Sequence, residues 1–171
     1  MKNLLSRYII MIDSLSKLSG SILSMLIFLM IFIVNYEVVA RYFFNSPTSW
    51  SLEAATMTFG TYMIGGGAYA VISKAHVNMD IFYSKWSPRT MAIVDICTYP
   101  LVAFFFSVMC WKAFAYGIES FQIREHASSV WSPPLYQWKI VVAAGLILLW
   151  LQLLSDFLRN LLLIVTGEER L

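Results

Sequence analysis

The sequence predicts an all-α membrane protein: four transmembrane helices behind an N-terminal amphipathic interfacial helix, with both termini cytoplasmic. Three observations predict it. Hydrophobic residues are 59% of the chain and charged residues 13%, about half the charge of a soluble domain. Charge-free apolar runs recur four times, at lengths near the roughly 20 residues that cross a ~30 Å hydrocarbon core. Aromatic side chains gather at the ends of these runs, where a bilayer meets water. A soluble chain of 171 residues has too little interior to hide so much apolar surface, so lipid must be part of its solvent.

The first run, Leu18–Tyr36, holds 19 residues without a charge and extends toward Arg41. It exceeds a secretory h-region of about 7–15 residues, and no small-residue cleavage site follows it, so it reads as a retained helix. The second run, Ala54–Ser73, holds 20 residues; the third, Ile96–Trp111, and the fourth, Ile140–Ser155, hold 16 each. The last two reach spanning length if Lys112 and Lys139 snorkel outward from the helix ends. The expected spans are 18–43, 53–74, 90–117 and 135–159, in a single domain over 1–171. With the N-terminus inside, eight Lys and Arg residues face the cytoplasm and four face outward, the asymmetry that orients membrane helices.

Residues 1–17 are expected to lie on the inner leaflet. Leu4, Leu5, Tyr8, Ile9, Ile12 and Leu15 recur at three- and four-residue steps, with Arg7, Asp13 and Lys17 elsewhere, the pattern of an amphipathic helix. Met79, Phe82, Tyr83 and Trp86 repeat that spacing between the second and third spans.

Each polar constellation has a structural account beside a functional one. Glu37 and Arg41 stand one turn apart at the outer end of the first span, as a self-satisfied pair or as a latch to a partner. Trp50 and Glu53 open the second span, where the helix dipole favours an acid. Gly65, Gly66, Gly67 and Ala70 form small-xxx-small pairs with their neighbours, which let another helix approach closely. Trp50, Arg124 and Trp131 fall on the outer side, where aromatic and arginine side chains favour protein contacts. His76 and His126 map to opposite sides of the bilayer, which excludes a bis-histidine haem between them. Cys97 and Cys110 show no metal or CxxC spacing, and no Ser/His/Asp set or phosphate loop appears. The chain is read as non-enzymatic, with no cofactor and no metal. A net charge of +2 without a basic run argues against nucleic acid.

The order of these features resembles the small membrane subunit of tripartite ATP-independent periplasmic (TRAP) transporters. The residues that carry the likeness are Tyr36-Glu37 through Arg41-Tyr42 with Phe44-Asn45, Trp50 and Glu53, the Gly65–Ala70 patch, and His76-Val77-Asn78-Met79-Asp80. Pro133-Pro134 before a fourth span that contains Leu151-Gln152-Leu153 completes it. The resemblance implies a heterodimer in the bacterial inner membrane with a large subunit that carries substrate and sodium. It also implies a periplasmic binding protein that delivers an organic anion, with this chain as a scaffold. Two rivals stay open on sequence alone: a membrane oxidoreductase subunit, and an anchor for an unrelated membrane complex.

Overall fold

A computed structural model describes residues 2–73 and 88–166. Five helices make up these residues: α1 Lys2–Ser24, α2 Leu26–Tyr42, α3 Ser51–Ile72, α4 Pro88–Gln122 and α5 Leu135–Thr166. No β-strand occurs among the described residues. His76 and the Met79–Trp86 pattern lie outside them.

Among the described residues, three helical stretches are long and apolar enough to cross a membrane: Leu5–Tyr42, Ile93–Gln122 and Leu135–Ile164. The helix α3 has 22 residues, about 33 Å at 1.5 Å per residue, but its glycines, threonines and serines lower its hydropathy. The expected boundary at residue 17 is not a helix break. Helix runs through it, and the only irregularity before Tyr42 is at Met25, whose N–H bonds Ile22 O at 3.2 Å while its own carbonyl receives Leu29 N at 3.4 Å. Serine hydroxyls cluster just before this point. Ser19 Oγ donates to Ser16 O and Ser24 Oγ to Ser21 O, back-bonding that loosens a helix ladder. In α4, Pro100 sits mid-helix and cannot donate to the preceding turn. Beside it Tyr99 stacks on Phe157 of α5, with ring centroids 4.0 Å apart.

The helices stand in a row. The outermost, α2, packs on α3; α3 packs on α5; and α5 carries α4 at the far end. Near the inner end α1 lies against both α3 and α5. Such a row buries little, and many of the buried side chains lie on its midline: Ala68, Val71, Ala143, Leu146 and Leu149, with Ile9, Ile12 and Ser16 from α1.

Absent side chains set the helix spacing. A Cβ on Gly145 would lie 3.0 Å from Ile64 Cγ2 and 3.4 Å from the Gly65 backbone, so α3 and α5 approach backbone to backbone. One on Gly65 would overlap Leu23 of α1, and one on Gly20 would lie 2.5 Å from Tyr69. Gly66 is different, with nothing within 4 Å of a Cβ built there. Within this chain the glycine patch therefore divides: Gly65 and Gly67 pack inward, against Leu23 and Leu149, and Gly66 opens outward.

This division is testable by thermal unfolding in detergent. Gly145→Leu is expected to destabilise the bundle by about 3 kcal/mol or more, because overpacking at a backbone contact cannot relax through side-chain motion. Gly66→Leu is expected to leave the melting temperature of the isolated chain within about one degree of wild type.

Candidate functional site

The end of the row that holds the α2–α3 and α4–α5 connections is built on carboxylates that tie successive segments together. Glu37, in the last turns of α2, accepts from Arg41 Nε at 2.9 Å. Its second oxygen accepts the Thr48 N–H at 3.0 Å and the Thr48 hydroxyl. The pair expected from the sequence is present, but Glu37 also fixes the connection from α2 into α3. Nothing in the local pattern signalled Thr48, eleven residues away. In that connection Asn45 adopts a positive φ of 50°, which asparagine tolerates better than most residues. An open cleft of about 470 Å³ lies here, lined by Tyr36, Ala40, Phe44, Thr48 and Trp50 among others.

The loop between α4 and α5 is folded back on itself. Ala127 N–H donates to Pro133 O and Leu135 N–H to Glu125 O, both at 3.0 Å. His126 Nδ1 lies 3.0 Å from Ser132 O, and a carbonyl can only accept, so that nitrogen carries the proton. Arg124 and Ser132 have φ values of 48° and 50°, a strained conformation for residues with a side chain. Cross-links hold them there. Glu125 pairs with Lys139 at the start of α5, and Lys139, with the Ser120 hydroxyl, holds the Glu125 carboxyl below its ordinary range. The pair's contribution is therefore complete above the free carboxyl's value of about 4.3 and is lost as pH falls through the lower folded value.

This loop is strapped to α3. Ser129 Oγ donates to Glu53 Oε2 at 2.9 Å, and Trp131 packs against Trp50 with centroids 6.4 Å apart. Trp50 in turn meets Tyr36 of α2 at 5.8 Å. Glu53 is more than the dipole partner read from the sequence. Below the strap, Trp138 Nε1 donates to Met57 O at 3.1 Å and contacts Thr61 Oγ1 at 3.2 Å, pinning the start of α5 to α3.

The structure thus brings Trp50 and Trp131 together, with Arg124 exposed on the same loop as Trp131. Val130 in this loop is 92% exposed. Glu37 and Arg41 are turned into the subunit's own scaffolding, whereas Gly66 and Ala70 lie toward the other end of α3.

A second polar cluster, at the opposite end of the row, joins α1 to α5 through partners the sequence reading did not pair. Ser16 Oγ donates to Gln152 Oε1 at 2.8 Å, and Gln152 Nε2 donates to Asp13 at 2.9 Å. Asp13 also pairs with Arg159. Ser16 and Gln152 are fully buried. Tyr8 OH reaches Leu151 O at 3.3 Å, and Asn160 donates to Asp95 of α4 at 3.1 Å. The signal for this cluster was a glutamine inside a leucine-rich helix, which costs several kcal/mol in hydrocarbon unless partnered.

These elements define a helical membrane protein whose polar groups tie its own helices together. Residues 30–163 match the family described as tripartite ATP-independent periplasmic transporters, DctQ component. The chain belongs to that family, the small membrane component of these transporters. No curated protein and no solved structure matches it.

The strap makes a prediction about the outer loop. Glu53→Gln combined with Ser129→Ala removes a charge-assisted hydrogen bond worth about 1.5–3 kcal/mol. Tryptic cleavage after Arg124 in the detergent-solubilised protein is expected to accelerate at least tenfold, with fragment appearance followed by mass spectrometry.

Proposed function

We propose that this chain is the non-catalytic small subunit of a sodium-coupled TRAP transporter for an organic anion. It sits in the bacterial inner membrane as four spans with both termini cytoplasmic, and it scaffolds the large subunit that moves the solute. The observation that carries the reading is the family match over residues 30–163. The row of helices supports it, because a row offers two long faces to neighbours and encloses no path of its own. Counting α3 as the fourth span is supported by its length and by its place between α2 and α5. Its small and hydroxylated residues are ones that adjoining helices can cover.

The large subunit is proposed to take the outward face of α3, where Phe59, Met63, Gly66 and Ala70 follow three- and four-residue steps. The open space at Gly66 supports this, since a small residue there gains nothing inside the chain. The periplasmic binding protein is proposed to touch the surface of Trp50, Trp131 and Arg124. Its support is the shared outer position of an exposed arginine and two aromatic rings.

Three measurements test these assignments. Co-expressed with its large subunit, Gly66→Leu is expected to lower co-purification several-fold while the isolated chain still melts normally; undiminished recovery overturns that face. Impermeant maleimide applied from outside should label Ser128→Cys and spare Lys85→Cys in a background lacking Cys97 and Cys110, and the opposite pattern reverses the topology. In reconstituted vesicles, Arg124→Glu and Trp131→Ala are expected to raise the binding-protein concentration for half-maximal uptake by about tenfold. The Arg124 effect should shrink with salt, and unchanged values place docking on the large subunit.

A further inference from the structure

Three stripes run along α1, each stepping by three, four or seven residues. Ile9, Ile12, Ser16 and Gly20 are buried against the bundle. Met11, Leu15, Leu18 and Ile22 form an exposed apolar flank. Arg7, Ser14, Lys17 and Ser21, with the exposed Ile10 among them, form a mostly polar flank on its other side. The single acid of this helix, Asp13, does not share that flank's fate, because it is turned inward to Gln152 and Arg159. Arg7 and Lys17 make no ion pair among the described residues. The fold therefore neutralises the helix's only negative charge internally and leaves Arg7 and Lys17 outward.

The depth of this flank follows from packing. Gly20 abuts Tyr69 and Leu23 lies over Gly65, so α1 runs antiparallel to α3. Tyr69 is three residues from the end of α3 at Ile72. With α3 about one hydrocarbon thickness long, the part of α1 before Lys17 extends past its inner end. That part lies at headgroup level, a placement that rests on the proposed span assignment of α3.

We infer that Arg7 and Lys17 bind the headgroups of anionic phospholipids, making the subunit select anionic over zwitterionic lipid. An apolar flank beside a cationic one, at headgroup depth, fits an amphiphile: acyl chains under Met11, Leu15 and Leu18, phosphates beside the cations. Ten residues of helix, about 15 Å, separate Arg7 from Lys17, so they hold separate headgroups and not one phosphate. An acidic protein segment would find the same charges but would leave the apolar flank uncovered. Cations at an anionic membrane surface each favour binding roughly fivefold.

The test uses the full chain in phosphatidylcholine vesicles, with Met11→Cys as the single cysteine carrying a fluorophore. Quenching is compared between phosphatidylglycerol and phosphatidylcholine brominated at the same upper acyl position. The expected result is half-maximal quenching at a roughly fivefold or greater lower mole fraction of phosphatidylglycerol. Arg7→Gln with Lys17→Gln should abolish the difference, and ~1 M salt should reduce it in the unsubstituted chain. Equal quenching by both lipids, or a preference that survives the double substitution, overturns the lipid assignment. Quenching by neither lipid overturns the placement of α1, a separate failure. Full preference that vanishes only when an acidic partner is added would show that a protein competes for the same cations, and would leave the lipid site standing.

Discussion

Where Gly145 meets Gly65, neither helix carries a side chain, and the backbones of α3 and α5 come within van der Waals reach. In a bilayer no hydrophobic force draws helices together, so dispersion at such close contacts supplies much of the association. The remaining packing is referred to this spacing. Leu23 of α1 reaches over Gly65, Leu149 packs on Gly67, and Trp138 lies over Gly60, where a Cβ would come within 2.9 Å of the ring. With α3 and α5 this close, α1 can rest on both at once, and α2 and α4 are left to the ends of the row.

Much of this was legible in the residues. Periodicity and charge-free length give the helices, because lipid imposes a fixed thickness and forces every backbone amide to pair within its own segment. Gly65 was readable as a close-packing position from its small-xxx-small spacing, and the Glu37–Arg41 pair from its four-residue step. What spacing does not encode is direction around the bundle. Three consecutive glycines look alike in a sequence, yet they project about 100° apart on the helix, so Gly66 faces away from what Gly65 and Gly67 touch. The partners Thr48 for Glu37, Ser129 for Glu53 and Asp13 for Arg159 are set by tertiary approach, over separations of 11, 76 and 146 residues.

The polar groups divide by depth. Those at the outer end join connecting loops to helix starts, and those at the inner end join the first helix to the last. Between them the contacts are mainly apolar, with Trp150 Nε1 donating to Ser107 Oγ at 3.2 Å, and the hydroxyls at Thr58 and Thr61 donate back to their own helix, to Ala54 O and Met57 O. Among the described residues, most side-chain hydrogen bonds between helices gather toward the two ends of the row.

Helices joined edge to edge behave mechanically like slats on hinges: rigid along their length, free to fold about each line of contact. Helix α1 changes that. Antiparallel to α3 and in contact with α5 as well, it covers the central seam, fastened by Ser16 to Gln152 and by Asp13 to Arg159. The loop after α4 crosses to α3 through Ser129 and Trp131. Two cross-braces on opposite rims stiffen the sheet of helices against bending out of plane, so a force applied at one edge is carried to the other without being absorbed between them.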